Sequence, residues 1–197
     1  MRRKQLIDAA IRCLGTGGIS AFTIDRICRE AGVSRGLINH YFASKDDLLV
    51  AVYRSSLYET VTGHIVQTAG SDDGSVSESV DRLKALVEAN FAPSYFAKTN
   101  FLVWLSLWGE VATNPKLKSA HSTLYDSYRK ALAREIDAVA TYRGRAVNAN
   151  NMARNFIALV DGLWLEWSLD SGVLSPAEAK EACYELLEAS LGPLRSG

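Results

Sequence analysis

Three cysteines, four prolines and three histidines are all that the 197 residues hold of those types. Cys13, Cys28 and Cys183 show no Cys-x-x-Cys spacing and have no histidine cluster near them. Neither a disulfide framework nor a metal site is expected, and they read as small buried residues of a reducing compartment. Long hydrophobic runs are missing too. The apolar stretches around 101–108 and 157–167 are interrupted by Ser106 and Asp161, so no membrane span is expected. Met1-Arg2-Arg3-Lys4-Gln5 leads into a helical pattern with Asp8 and Arg12 rather than an apolar segment, so a secretory signal is not expected and the expected location is the cytoplasm. Scarce proline, with 48% apolar and 22% charged residues, excludes collagen-like structure and intrinsic disorder. Gly15–Gly18 follows no strand and makes no phosphate loop, and no Ser, Cys or Lys sits beside a base with a third orienting group. The reading is a non-enzyme without cofactor.

Net charge is also missing, 22 Lys+Arg balancing 22 Asp+Glu. The balance hides an asymmetry. Residues 1–55 carry nine basic against five acidic residues, and the remainder 13 against 17. A basic head on an acidic body is the electrostatic outline of a nucleic-acid-binding segment.

What is present is helical period almost throughout. Ile7, Ala10, Ile11 and Leu14 form a stripe that Gly15-Thr16-Gly17-Gly18 is expected to stop. Thr23 can cap a second helix whose Ile24, Ile27, Cys28 and Ala31 share a face, with Gly32 placed to end it in the left-handed conformation. Ser34 can cap a short third helix through Leu37, Ile38 and Tyr41. Ser44-Lys45-Asp46-Asp47 has the form of a capping box and opens a long helix carrying Leu48, Val52, Leu57, Val61 and Ile65. A polar stretch, Gly70–Ser75, reads as a loop. Five further helices are expected around Val76–Phe91, Phe101–Val111, Leu117–Val139, Asn148–Leu169 and Ser175–Leu191, the last begun by Ser175-Pro176-Ala177-Glu178. No alternating pattern suggests a strand. The predicted class is all-α: an N-terminal three-helix DNA-binding domain over residues 1–46 and a helical ligand-binding and dimerisation domain over 47–197. His64 and His121 are isolated and read as surface or capping residues; Arg143-Gly144-Arg145 reads as solvated charge.

The segment 23–48, TIDRICREAGVSRGLINHYFASKDDL, joins two short helices at Ala31-Gly32-Val33-Ser34 in helix-turn-helix form. Apolar Val33, Leu37 and Ile38 hold the second helix inward, leaving Arg35, Gly36, Asn39 and His40 outward. Arg35 suits a guanine edge or a phosphate, and Asn39 suits adenine. Gly36 permits close approach of DNA. Thr23, Ser34, Tyr41 and Lys45 complete the expected DNA-contacting set, chiefly toward phosphate. The run T-I-x-x-I-x-x-x-A-G-V-S-x-G-x-I-x-H-Y-F-x-x-K-x-x-L resembles the signature of the tetracycline-repressor-like family of transcriptional regulators. The resemblance implies a dimer on palindromic double-stranded operator DNA, a long fourth helix as connector, and a body whose last two helices form an intersubunit bundle. Leu186 and Leu187 are then expected at that interface. The family usually has Tyr where Asn39 stands, so its operator does not carry over.

All four tryptophans lie in the body, as Trp104/Trp108 and Trp164/Trp167, each pair at helical spacing. Asp161 precedes Trp164 by three residues within an apolar stretch. A carboxylate among indoles suits a quaternary ammonium ligand, through cation–π attraction and counter-charge. Phe91 and Tyr125 are further lining candidates, with Tyr128 behind them. The same spacing equally suits a core or a dimer interface, with Asp161 paired to a partner arginine. Within the family, RRKQLIDAAI, INHYF, ANF, WLSLW and LVDGLWL are similar to choline-responsive repressors of glycine-betaine biosynthesis genes. That likeness implies release by choline or betaine aldehyde. The competing expectation is a regulator without a small-molecule effector, controlled by a protein partner or by abundance.

Overall fold

The computed structural model describes residues 2–59, 76–93 and 96–195, with side chains omitted at 57–59. Among these residues there are nine α-helices and no strand: α1 (Arg2–Gly17), α2 (Ile24–Ala31), α3 (Arg35–Tyr41), α4 (Lys45–Glu59), α5 (Val76–Asn90), α6 (Lys98–Thr113), α7 (Pro115–Tyr142), α8 (Ala149–Leu169) and α9 (Pro176–Leu191), with a 3-10 turn at Ile19–Ala21. The all-α class is therefore as expected. Val61, Ile65, His64 and the polar stretch at 70–75 lie outside the described residues. The chain forms two compact units, one of residues 1–59 and 97–124, the other of 60–96 and 125–197.

In the first unit α1 packs on α2, α4 and α6. Its buried stripe is Leu6, Ile7, Ala9, Ala10, Cys13 and Leu14, broader than the pattern expected because α1 is covered on several sides. The glycine segment stops α1 as expected: the helix ends at Gly17 and the chain turns at Gly18, φ +61°. A Cβ at Gly15 would meet the Thr99 carbonyl oxygen at 3.3 Å, and one at Gly17 the Ala21 Cβ at 2.7 Å, so both positions are closely packed.

Local signals set the next boundaries. Thr23 accepts the Arg26 N–H, and Gly32 at φ +65° ends α2. Ser44 Oγ accepts the Asp47 N–H at 3.1 Å, starting α4. Asn114 Oδ1 accepts the Leu117 N–H at 3.1 Å, with Pro115 opening α7. Lys116 reaches back to Asp47 at 3.0 Å. His121 is no surface histidine on its own: its Nδ1 lies 2.7 Å from the hydroxyl of the fully buried Tyr53 of α4.

In the second unit α9 packs on α5 and α8. Ser175 and Glu178 make both arms of a capping box at the start of α9. Lys180 and the Tyr184 hydroxyl both bind Glu88 of α5, and Arg82 of α5 meets the buried Glu135 of α7 at 3.0 Å. Arg143, half-buried, donates to the Leu191 carbonyl at 2.9 Å, and Arg145, exposed as expected, to that of Ser190 at 3.3 Å, so both also cap the C-terminal end of α9. Leu187 is fully buried in the protomer's own core, which corrects its expected place at a subunit interface; Leu186 is half-buried. The three cysteines are buried and free.

Candidate nucleic-acid interface and ligand site

The first unit presents α2 and α3 as a helix pair joined by the left-handed Gly32. Ile38 is buried, Val33 and Leu37 half-buried, and this inward side leaves the rest of α3 outside. Thr23, Ser34, Arg35, Gly36, Asn39, His40, Tyr41 and Lys45 are all exposed. Thr23 and Ser34 head α2 and α3. Ser34 occupies the N-cap position in extended backbone, but its hydroxyl makes no cap bond; its carbonyl takes the Leu37 N–H at 3.1 Å, leaving the hydroxyl on the surface. The rings of His40 and Tyr41 meet edge to face at 5.0 Å.

Two cations flank this surface on aromatic supports. Lys45 Nζ lies 5.6 Å from the centroid of Phe22, and the Arg3 guanidinium 5.1 Å from that of Phe42, the residue that ends α3. Sequence reading had no means to find Arg3, because its contact is made across more than thirty residues. Gly36 is the second residue of α3, and a Cβ there would meet nothing nearer than Ser34 Oγ at 3.9 Å. The fold has no need of glycine at that point. Arg35 grips Asp25 of α2 through Nε and Nη2, with both side chains exposed, and the guanidinium holds the Asp25 carboxyl below its ordinary pKa.

The second unit gathers a different chemistry. Asp161, in the middle of α8, is half-buried and bonded to the Tyr125 hydroxyl of α7; burial pushes its pKa up to about 7, opposed by that hydrogen bond. Among the described residues no Lys or Arg is ion-paired with it. Tyr128, one helical turn further on, is buried and bonded to Asn90, and burial with the nearby Asp161 charge pushes its phenol well up. Asn90 also accepts, through its backbone oxygen, the Trp164 indole N–H at 3.1 Å, while its own amide donates to the Leu86 carbonyl. Trp164 belongs to a ring cluster centred on Phe96, whose centroid lies 5.5 Å from those of Phe91 and Trp164 and 4.0 Å from that of Trp167.

Of the expected ligand-site residues, Phe91, Tyr125, Asp161, Trp164 and Trp167 are thus in one unit. Trp104 and Trp108 are in the other, where their rings lie 5.9 Å apart and Trp104 meets the edge of Tyr53 at 6.0 Å. Phe96 and Asn90 were not anticipated. Phe96 lies outside any helix, where no periodicity marks it, and Asn90 contributes through its backbone carbonyl.

Residues 6–52 match the model of the tetR family of bacterial regulatory proteins, and residues 79–192 that of the C-terminal domain of BetI-type transcriptional repressors. The HTH-type transcriptional regulator BetI of Burkholderia lata is 30% identical over 201 residues, covering 97% of this chain and 94% of its own length. BetI 1 of Chromohalobacter salexigens is 30% identical over 199 residues, covering 97% and 91%. Among solved structures, a transcriptional regulator from Pseudomonas aeruginosa is 30% identical with TM-score 0.76, over 95% of this chain and 88% of that one. A regulator from Saccharomonospora viridis, solved in complex with choline, shares the fold at TM-score 0.77 and 23% identity, over 94% and 95%. These relatives are transcriptional regulators, a class that is not enzymatic, and no described helix here is long and apolar enough to cross a membrane. The chain belongs to the tetR family of bacterial regulatory proteins, as a transcriptional regulator with a BetI-type C-terminal domain.

Proposed function

We propose that this chain is a cytoplasmic, dimeric repressor that reads a palindromic operator with α3 and lets it go when a small organic cation, such as choline or betaine aldehyde, binds the second unit. Residues 1–46 carry the DNA-reading function and 47–197 the ligand and dimer functions. Gly36 supports the DNA half of this reading. Glycine loses more backbone freedom in a helix than alanine does, and no neighbour within the protein requires it, whereas a DNA backbone or base edge pressed against α3 would. Arg35 and Asn39 are the base readers, and Thr23, Ser34, His40, Tyr41 and Lys45 hold the phosphates and groove walls. One short helix makes too few contacts for specificity, so two copies must present α3 to successive major grooves, about 34–36 Å apart.

Asp161 carries the effector reading. A carboxylate taken partly out of water, with no cation beside it among the described residues, gains from a ligand that brings a positive charge. A quaternary ammonium group suits it because its methyl groups pack on indole and phenyl faces and need no hydrogen-bond acceptor. The Phe91, Phe96, Trp164 and Trp167 rings supply those faces, each contributing about 0.5–2 kcal/mol when well placed. The choline complex of the S. viridis relative favours the same ligand class here. Trp104 and Trp108 we place in transmission around Tyr53 and α4 rather than in the ligand shell.

The test is a joint titration of choline against tryptophan emission and against the shift of operator DNA. Emission should be quenched and the DNA complex lost together. If neither changes at tens of millimolar choline, the aromatic cluster is core and the regulator answers to a protein partner or to its own abundance.

A further inference from the structure

The Arg35–Asp25 pair has no evident structural purpose. Both side chains are more than half exposed, and exposed pairs of this kind contribute little to stability. Its geometry is nonetheless specific. Arg35 uses Nε and Nη2, one edge of its planar fork, on the two carboxylate oxygens of Asp25. Three N–H donors remain, and two of them, on Nη1 and Nη2, point side by side along the adjoining end of the fork. The donors of that end have the spacing of O6 and N7 of guanine. Asp25 is fixed in turn, in the first turn of α2 behind the Thr23 cap, and α2 and α3 are locked together through buried Ile27, Cys28, Ala31 and Ile38.

We propose, on the reading that α3 enters the major groove, that Asp25 is a positioning residue for base recognition: it holds Arg35 by one edge so that the adjoining end faces a guanine. A free arginine on an exposed helix samples many rotamers and binds the nearest phosphate of any sequence. Held by Asp25, it has lost that freedom before DNA arrives. The carboxylate also cancels much of the guanidinium charge and repels phosphate. Binding to arbitrary DNA is weakened while the guanine contact is kept, and the ratio between the two rises.

The experiment uses the full-length protein and a duplex selected by it from a random-sequence pool, with every base pair of one half-site then substituted in turn. Arg35→Ala should abolish preference at one G·C position. Asp25→Asn should reduce preference at that same position by about 5- to 10-fold, leave other positions unchanged, and tighten binding to random duplex with a salt slope steeper by about one unit. Asp25→Asn in an Arg35→Ala background should change preference nowhere. Arg35→Lys, which keeps the charge but cannot be held by two bonds, should lose the preference while retaining affinity for random duplex, and it does not disturb α2. Asp25→Asn shifting operator and random duplex by one common factor, with base preference intact, overturns the proposal and reduces Asp25 to a repelling charge. Arg35→Ala without any effect on base preference overturns the guanine reading itself, and the positioning role with it.

Discussion

Trp164 donates its indole N–H to the backbone carbonyl of Asn90, tying the middle of α8 to the last turn of α5. The bonded ring meets Phe96 edge to face, and Phe96 is itself tilted by 34° against Trp167. Ring orientation in this cluster is therefore set by hydrogen bonding as well as by packing. Trp164→Phe keeps an aromatic face but leaves the Asn90 carbonyl without its donor. It should destabilise the protein by about 1–3 kcal/mol in urea unfolding and weaken choline quenching more than it weakens operator binding.

Asp161 makes stability and ligand affinity depend on pH in opposite directions. Its carboxyl ionises near the ordinary 3.8 when unfolded and near about 7 in the folded chain. Between those values the folded state holds a proton that the unfolded state has lost, so stability falls as pH rises from about 4 to about 7 and is level above. A cation prefers the ionised form, so its dissociation constant should fall by up to tenfold per pH unit below about 7 and level off beyond. Asp161→Asn should flatten both curves, read by thermal unfolding and by titration of choline at a series of pH values.

Gly36→Ala separates folding from function. With only Ser34 Oγ within reach at 3.9 Å, the added methyl group enters open space, and the protein should be no less stable in thermal unfolding. On the proposed docking of α3, where DNA takes that space, operator binding should nevertheless weaken about tenfold or more in a gel shift.

For the proposed dimer, the outer side of α8 is the interface we expect. Gly162 is exposed with no heavy atom within 4 Å of a Cβ placed on it, and Leu165 and Leu169 nearby are 39% and 74% exposed. Leu165→Glu should convert the dimer to monomer in sedimentation with far-UV dichroism preserved, and palindromic DNA should no longer be bound. Substituting Leu187 is a poorer test, since a charge there enters the core of the protomer.

Where the sequence was legible, the signal was local. Thr23, Gly32 and the Ser175–Glu178 box mark helix ends by hydrogen bonds that span three or four residues, so residue type and spacing suffice. The outward side of α3 was legible for the same reason, through Ile38 and its half-buried neighbours. Gly15–Gly18 was legible as a stop from residue type, α1 ending at Gly17 and turning at Gly18, but the close packing of Thr99 and Ala21 on Gly15 and Gly17 was not. Helical spacing correctly put Trp104 with Trp108 and Trp164 with Trp167. It says which residues share a face, however, and not which element that face meets, so it did not separate the pairs into two units or bring Phe96 to one of them.

The buried thiols make the two units separately observable. Cys13 and Cys28 lie in one and Cys183 in the other, all free, and burial raises the pKa of each, that of Cys183 to about 12. A thiol in that condition is alkylated only when its surroundings open. Pulse labelling followed by peptide mass analysis would therefore clock the opening of each unit within one intact chain, with no engineered probe. Effector added during the pulse should slow modification of Cys183 first, and operator DNA that of Cys13 and Cys28, giving a kinetic map of where each ligand's binding energy is felt.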